Sequence, residues 1–357
     1  MVCCLCCLCC CCVIGAFVIT TSVFAVRCFK PKYSTTSTYA FDNSLGNLPV
    51  LQISSNLSLS SIEFLSAAPK GTNSTDIVIQ TIFHYSVAKD KQYLTASVGQ
   101  AAFNNITAQF GTAKVASAEY CSNLQIQVYL PPMPNNGQYY MELFGADVSI
   151  QDPIFSVSYL NVQGGKQDVS ITGLQASQSM NVATTGYIRL TNVTSGYLLM
   201  AQASTGNVYA NDCIVQGTAN LGSTSGDVYA NNLHSEVAAL SATMGDLFID
   251  QIASSQINFG TTSGDSHFSQ VLVQGVTNIT GSATTGDIFF ELPAGYSGTF
   301  DLQTTLGMFS ISSNAQVNYS LNSERHKEGT IGSSSDLLYS IEFSTTSGDI
   351  DLSTETQ

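Results

Sequence analysis

The chain contains no tryptophan and carries little charge. Of its 357 residues only 10% are charged, with 11 basic residues against 25 acidic ones. Surface helices usually carry a charged face, so this composition argues against an α-helical protein. Hydrophobic residues make up 44% of the chain, and Gly, Ser, Thr and Asn dominate the polar remainder, which is typical of strands and tight turns. The composition predicts an all-β protein.

Basic residues are scarce in most of the sequence. Three of the 11 precede residue 33 and every acidic residue follows it, so the rest of the chain carries 8 − 25 = −17 charges. The basic residues beyond residue 150 are Lys166, Arg189, Arg325 and Lys327. A polyanion is held by clustered Lys and Arg side chains, so we expect no nucleic-acid partner.

Charge is absent altogether near the N-terminus. From Val2 to Val26 there is no charged residue over 25 positions, and a helix of this length covers the roughly 30 Å hydrocarbon layer of a bilayer. We therefore predict one transmembrane helix in an anchor segment, residues 1–32. A signal peptide cleaved after Val23-Phe24-Ala25 and an acylated hairpin on the membrane surface are the alternatives. A signal peptide would normally begin with Lys or Arg, and this segment has neither before its apolar run.

Most of the cysteines lie in this anchor segment. They are Cys3, Cys4, Cys6, Cys7, Cys9, Cys10, Cys11 and Cys12. Clustered cysteines beside an apolar span indicate S-acylation, and the alternative is that they serve as small hydrophobic residues in lipid. No His or acidic residue accompanies them, which argues against a metal site. Whether Cys121 and Cys213 form a disulfide cannot be decided from their spacing.

The orientation in the membrane rests on two opposing signals. Arg27, Lys30 and Lys32 follow the span. The positive-inside rule would keep them in the cytosol together with the body of the protein, residues 33–357. Acceptor motifs for N-glycosylation argue for the other side. They occur at Asn56, Asn73, Asn105, Asn192, Asn278 and Asn318. We favour a single-pass membrane protein whose body is extracellular or lumenal.

The clearest pattern is an internal repeat in which a Thr/Ser-rich pair precedes Gly and often Asp. The repeated glycines are Gly186, Gly206, Gly226, Gly245, Gly264, Gly286, Gly307 and Gly348, at spacings of 20, 20, 19, 19, 22, 21 and 41. This period predicts a β-solenoid with about 20 residues per coil, in which neighbouring coils stack to bury a shared core. We interpret the last spacing as two coils with one signature missing. The glycine itself is expected to provide a positive φ at the corner, the turn between two strands of a coil.

Apolar residues keep a fixed phase with these glycines. Positions two and four after the glycine are mostly apolar, as in Val208 and Ala210 or Val228 and Ala230. A period of two is that of a strand with one buried face, and it excludes a helix. Residues 166–357 are therefore predicted to be the solenoid. Residues 33–165 are strand-like without a clear period, and we expect an irregular β cap.

The Thr-Ser-Gly-Asp coils and the segment Thr345-Thr346-Ser347-Gly348-Asp349-Ile350 resemble the putative adhesin domain family of bacterial-type β-solenoids. The resemblance covers roughly residues 48–352. It implies a solenoid architecture and a surface role in adhesion, and it leaves the anchor segment outside the match.

Catalytic motifs are not apparent in the sequence. Pectin-cleaving solenoids need clustered carboxylates with a nearby Arg or Lys, and the basic part of such a site is nearly missing. We expect a protein that is not an enzyme and that needs no cofactor. Aspartates after the corner glycines would stack in a column, which could hold Ca²⁺ or could simply face solvent in the turns.

A stripe of rings occupies the position three after the glycine, which alternation points outward. These residues are Tyr209, Tyr229, Phe248, His267 and Phe289. Exposed aromatic residues often mark binding surfaces, so we interpret this stripe as a contact site for a glycan or a cell-surface protein. The alternatives are that the rings only stabilise the coils or lie beneath a loop or the cap.

Taken together, the sequence predicts a membrane-anchored, adhesin-like surface protein that presents a rigid β-solenoid for adhesion or envelope organisation. A carbohydrate-active solenoid enzyme and an intracellular acylated membrane scaffold are the two alternatives.

Overall fold

The computed structural model describes residues 33–41, 49–57, 59–85, 94–101, 105–112, 123–133, 137–272, 277–293, 296–332 and 339–354. Every regular element in these ranges is a strand, which confirms the all-β prediction. Within the same ranges there is no helix with the length and apolar character needed to cross a membrane. The predicted transmembrane helix and the eight candidate acylation cysteines lie outside the described residues.

The first strands in chain order are β1 Tyr33–Phe41, β2 Val50–Ser55, β3 Ser60–Leu65, β4 Ile77–Tyr85, β5 Leu94–Ala101, β6 Asn105–Thr112, β7 Asn123–Tyr129, β8 Tyr139–Phe144, β9 Asp147–Gln151, β10 Val157–Gly165, β11 Val169–Thr172, β12 Gln175–Thr184, β13 Ile188–Thr191, β14 Thr194–Ser195 and β15 Leu198–Ala203. The remaining strands are β16 Val208–Val215, β17 Thr218–Ser223, β18 Val228–His234, β19 Val237–Ala242, β20 Leu247–Ala253, β21 Gln256–Ser263, β22 Ser266–Leu272, β23 Thr277–Thr285, β24 Ile288–Leu292, β25 Gly298–Leu306, β26 Phe309–Ser312, β27 Val317–Asn322, β28 His326–Ile331, β29 Tyr339–Ser347 and β30 Ile350–Thr354.

Most strands stack in parallel in two ladders, and each coil contributes one strand to each ladder. Val208 pairs with Val228, which pairs with Leu247, so the register advances by 20 and then 19 residues, as the repeat predicts. The first ladder is β6–β2–β8–β10–β12–β15–β17–β19–β21–β23–β29–β25. The second ladder is β7–β3–β9–β11–β13–β16–β18–β20–β22–β24–β30–β26.

The core lies between the two ladders and consists of the columns expected from the alternation. In the second ladder Val208, Val228 and Leu247 are fully buried. In the first ladder the facing residues, such as Leu221 and Leu240, are equally inaccessible. Because each coil can bury its apolar face only against its neighbours, stability comes from stacking between coils.

The C-terminal coils do not follow the chain order. β29 inserts between β23 and β25, and β30 inserts between β24 and β26. The interpretation of the last spacing as two coils is therefore wrong. The stretch between β26 and β29 forms the antiparallel pair β27–β28, which packs on β25. All residues of β27 after the half-buried Val317 are exposed, so the strand has no buried face with which to form a coil.

The N-terminal region is more regular than the expected irregular cap. β2 pairs in parallel with β6 and β8, and β3 pairs in parallel with β7 and β9. The strands β2 and β3, β6 and β7, and β8 and β9 therefore form three coils of the same two ladders. The expected boundary between residues 165 and 166 falls between β10 and β11, which belong to a single coil. Apolar alternation is present here, as in the buried positions of β2 and β3, but no glycine signature marks it.

Antiparallel strands pair at both ends of the stack. β5 pairs with β6, and β4 pairs with β7 and β1. At the other end β28 covers β25, whereas β26 pairs on one side only, with β30, among the described strands. Three of the four ladder ends in the described part of the chain are therefore covered by antiparallel strands, which do not offer the parallel edge to which a further coil would add.

The repeated corner glycine has the expected positive φ in some coils only, and its close contacts give it a second role. Among the corner glycines, φ is positive at Gly264, Gly286 and Gly348 but not at Gly226. A Cβ atom on Gly226 would lie 2.5 Å from the carbonyl oxygen of Gly206 in the preceding coil. Close stacking of successive corners therefore excludes a side chain even at Gly226, and at Gly264, Gly286 and Gly348 the positive φ favours glycine as well.

Left-handed backbone occurs at a second corner, which the sequence analysis missed. The residue six positions after the glycine has a positive φ in successive coils. These residues and their φ angles are Asn192 (51°), Asp212 (53°), Asn232 (54°), Gln251 (57°) and Gln270 (51°). Asn and Asp tolerate this conformation because their side chains bond locally, and the signal was a polar residue at a fixed offset.

Candidate ligand-binding groove

The five predicted stripe residues form one continuous stack of rings on the outer face of the second ladder. The ring centroids of Tyr209 and Tyr229 are 4.9 Å apart, and those of Tyr229 and Phe248 are 5.0 Å apart. His267 follows at 5.2 Å from Phe248, and Phe289 at 4.8 Å from His267. The planes of successive rings differ by 3° to 12°. Because the strands pair in parallel, residues at the same position of successive coils lie next to each other, and their rings stack in order.

The first two rings are held by the neighbouring corner residues. Nδ2 of Asn207 donates to the hydroxyl of Tyr209 at 3.0 Å, and the hydroxyl of Tyr229 donates to Oδ2 of Asp227 at 3.1 Å. Burial, together with the hydrogen bond to Asp227, raises the pKa of Tyr229 to about 12. The hydroxyls are thus fixed toward the corner, and the ring positions are set before any ligand binds.

A groove of about 670 Å³ runs beside the ladder. One wall is the ring stack, and the floor includes the backbone of β18, β20, β22 and β24. The other wall consists of polar side chains two positions after each ring. These residues are Asn211, Asn231, Asp250, Ser269 and Glu291. The groove has the size of a ligand-binding cleft, with one aromatic and one polar wall.

The polar wall was missed by the sequence analysis, although its signal was present. A residue two positions after an outward ring points to the same side of a strand. Every wall residue has this spacing, as Asn231 has to Tyr229 and Asp250 to Phe248. Within the wall, Oγ of Ser269 donates to Oδ1 of Asp250 at 3.0 Å.

Stacking determines which part of each ring faces the groove. In a nearly parallel stack the inner rings cover one another's faces, so Tyr229, Phe248 and His267 offer mainly their edges. Sugars bind aromatic residues through ring faces, and faces remain free only at the ends of the stack. At one end the guanidinium carbon of Arg189 lies 5.6 Å from the ring centroid of Tyr209. The opposite end is Phe289, which is 36% exposed.

The corner aspartates form a hydrogen-bonded ladder. The backbone N–H of Asp265 donates to Oδ1 of Asp246 at 2.8 Å, and that of Asp287 donates to Oδ1 of Asp265 at 2.8 Å. These carboxylates therefore accept bonds from the neighbouring coil, which explains their recurrence without a bound ion. Among the described residues, no group of three or more His, Cys, Asp or Glu side chains is arranged to hold a metal ion.

The six glycosylation motifs differ in accessibility. Asn56, Asn73, Asn192, Asn278 and Asn318 are exposed. Asn105 is partly buried, and its Oδ1 is inaccessible and has no hydrogen-bond partner. Five of the motifs could therefore be reached by a glycosyltransferase.

Cys213 is a free thiol in the core. It is fully buried, and burial raises the pKa of its thiol to about 12. Cys121, the other cysteine considered for a disulfide, lies outside the described residues.

The comparison with protein families decides the classification. Residues 160–353, more than half of the chain, match the family model described as Toastrack DUF4097. The chain belongs to the Toastrack DUF4097 family. This match confirms the resemblance to the putative adhesin domain family, and it contains the whole ring ladder and groove of this Toastrack chain.

Solved structures with a similar arrangement include two bacterial proteins. A putative lipid binding protein from Parabacteroides distasonis is 11% identical, with a TM-score of 0.46 over 90% of this chain and 97% of its own. A putative adhesin from Parabacteroides merdae is 11% identical, with a TM-score of 0.36 over 90% of this chain and 96% of its own. No curated protein matches the chain.

Proposed function

We propose that this Toastrack protein is a non-enzymatic, membrane-anchored, adhesin-like surface protein whose groove binds an external partner. The observation that carries the proposal is the ring ladder with its parallel polar wall, spread over five coils of a rigid stack. In ligand-binding clefts apolar side chains provide most of the affinity and polar groups fix the orientation of the ligand, and this groove contains both.

A membrane-bound site outside the cytosol is supported by two features. The uncharged run from Val2 to Val26 is long enough to span a bilayer. Five of the glycosylation motifs have an exposed Asn. We would express the full chain in a eukaryotic cell and digest the membrane fraction with a glycosidase. Increased gel mobility is expected. Unchanged mobility, with hydroxylamine-sensitive acyl labelling of the N-terminal cysteines, would instead favour an intracellular acylated scaffold.

The adhesive role is tested with cells that display the full chain, compared with cells carrying an empty vector. Adhesion is measured on plastic coated with gelatin, mucin or dextran. The test variant Tyr229→Ser/Phe248→Ser removes two rings of the groove wall. The control Tyr140→Ser/Tyr159→Ser removes a stacked pair in the first ladder, whose centroids are 4.7 Å apart and whose rings do not line the groove. We expect adhesion above vector on at least one coat, lost in the test variant and retained in the control. Adhesion at the vector level on all three coats would contradict the proposal.

A carbohydrate-active enzyme is the second candidate, because Asp250, Glu291 and Asp351 line the same groove. Such an enzyme also needs an Arg or Lys to accept a proton, and none is among the residues that line the groove. Arg189 lies beyond Tyr209, outside the groove. Incubation of the full chain with polygalacturonate, followed by assay of reducing ends and of unsaturated products, tests this activity. We expect no product above a buffer control, and product that disappears in Asp351→Asn would establish the enzyme instead.

A further inference from the structure

We propose that the Phe289 end of the groove binds a lysine or arginine side chain from an extended polypeptide partner. This inference rests on the proposed binding role of the groove and specifies what occupies it.

The ring stack ends at Phe289, and the next position of the ladder is an acidic residue. In the parallel register Phe289 pairs with His267 on one side and with Asp351 of β30 on the other. The ladder therefore continues as an acid where a sixth ring would otherwise stand. The face of an aromatic ring carries partial negative charge, and Asp351 is acidic. Together Phe289 and Asp351 favour a positively charged group at this end of the groove.

The charges around this end are acidic. Glu291, two residues after Phe289, lines the groove, and Asp250 lies further along the polar wall. Asp351 also lines the groove, yet its Oδ1 has no hydrogen-bond partner in the structure. This oxygen is also inaccessible to solvent, so an ammonium or guanidinium group in the groove nearby would stabilise a carboxylate that is only partly satisfied. His267 is the only titratable residue of basic type among those lining the groove, and its ring is held between Phe248 and Phe289.

The opposite end of the same stack shows the arrangement that this end lacks. There the guanidinium of Arg189 covers the outer face of Tyr209 at 5.6 Å. Among the described residues no cation lies over Phe289. The equivalent position beside Phe289 is held by Asp351, so a partner's Lys or Arg would approach this end from the groove, with Glu291 and Asp351 as counter-ions.

The groove geometry favours a polypeptide over a glycan. Sugars need ring faces, and the stack leaves mainly edges along the groove. Aromatic edges carry partial positive charge and suit carbonyl oxygens, which a peptide backbone supplies. The opposite wall provides amide groups from Asn211 and Asn231, a hydroxyl from Ser269, and the carboxylates already named, which can bond backbone N–H and C=O groups. Residues 33–357, with 8 basic and 25 acidic residues, carry 8 − 25 = −17 charges, which also favours a basic partner.

The test measures fluorescence anisotropy of labelled peptides with the full chain in neutral detergent at physiological ionic strength. Three short peptides are compared, in which serine alternates with lysine, glutamine or glutamate. The lysine peptide is expected to bind at least about tenfold more tightly than the glutamine peptide, since a desolvated cation beside a ring and a carboxylate contributes a comparable factor. The glutamate peptide is expected not to bind.

Variants separate the site from diffuse attraction. Glu291→Gln/Asp351→Asn should weaken lysine-peptide binding about tenfold, whereas Glu328→Gln/Glu342→Gln, which removes two exposed acids outside the groove, should change it less than about twofold. Phe289→Leu should weaken it about threefold to tenfold while Phe289→Tyr retains it. Circular dichroism of each variant checks that the fold persists.

Equal weakening by both pairs of acid variants would overturn the proposal, since attraction would then come from overall charge. Equal binding of lysine and glutamine peptides would overturn it as well. Groove-dependent adhesion to dextran in the cell assay, without lysine-peptide binding, would leave the adhesive function standing and replace the polypeptide with a glycan. Loss of adhesion on every coat would instead count against the proposed function.

Discussion

The backbone N–H of Asp246 donates a hydrogen bond to Oδ1 of Asp227, the equivalent residue one coil earlier, at 3.1 Å. The same bond joins Asp265 to Asp246 and Asp349 to Asp287. In one coil an asparagine serves equally, since the N–H of Asp227 donates to Oδ1 of Asn207 at 3.0 Å. The corner residue is therefore selected for a side-chain oxygen that reaches the next coil, and a negative charge is not required.

Replacing Asp246 separates these two properties. Asp246→Ala leaves the N–H of Asp265 without its acceptor, and we expect the free energy of unfolding to fall by about 1–3 kcal/mol. Asp246→Asn keeps Oδ1 and should cost less than about 1 kcal/mol. Urea unfolding of the full chain, followed by circular dichroism, measures both. If Asn proved as harmful as Ala, the charge rather than the hydrogen bond would be the stabilising feature.

Close stacking at the glycine corner predicts a large effect of a single methyl group. In Gly226→Ala the new Cβ would lie 2.5 Å from the carbonyl oxygen of Gly206, so the backbone of one coil has to move. We expect a loss of about 2–4 kcal/mol in stability. Gly99→Ala in β5 is the control, because a Cβ there meets no atom within 4 Å. Similar melting temperatures for the two variants would rule out crowding as the reason for glycine.

The left-handed corner predicts an unusual preference at Gln251, whose φ is 57°. A β-branched residue is strained in this conformation, so Gln251→Val should lower stability by about 1–2 kcal/mol. Gln251→Gly should be neutral within about 1 kcal/mol, since glycine adopts this φ freely and occupies the corresponding corner at Gly173, where φ is 71°. Thermal unfolding of both variants provides the measurement, and a more stable valine variant would contradict the assigned conformation.

Burial of Cys213 predicts its reactivity and a pH effect. Its pKa is raised from 9.0 to about 12, so the thiolate is favoured in the unfolded chain and disfavoured in the folded one. The neutral thiol is compatible with folding below pH 9, and its contribution to stability is lost as pH rises from about 9 toward about 12. Iodoacetamide at pH 8 should modify Cys213 only after unfolding, as quantified by mass spectrometry of its peptide. Rapid modification of the native chain would show that the thiol is accessible.

Much of the groove could be predicted because it depends only on which residues of each strand alternate between the core and the outer face. Once alternate residues are buried, Tyr229 and Phe248 have to point outward, and equal coil lengths align them. The reason for the corner glycines was predicted only in part: positive φ occurs at three of them, but the close approach of Gly226 to Gly206 involves two coils and leaves no trace in one repeat. The polar wall and the left-handed corner had local signals, namely polar residues at fixed offsets.

The order of the coils could not be predicted from the sequence. The apolar columns of β23, β25 and β29 are interchangeable, since all bury residues at the same phase, as Ile279, Phe300 and Ile341 do. Nothing local therefore determines which strand becomes the neighbour of β23. The antiparallel pair β27–β28 bonds to the outer side of β25, which leaves the inner side of β25 for β29.

The inserted position of β29 and β30 sets a condition on how the chain can assemble. During synthesis β25 and β26 emerge before the strands that separate them from β23 and β24. A solenoid that grew by adding each new coil to the last would therefore place β25 one step too early, against β23. The native stack requires that β25 no longer occupies that place when β29 and β30, which end at Thr354, join the stack. Deleting residues 339–354 would consequently remove a middle layer of the stack rather than shorten it, and the two flanking coils would meet in a pairing that the native protein never forms.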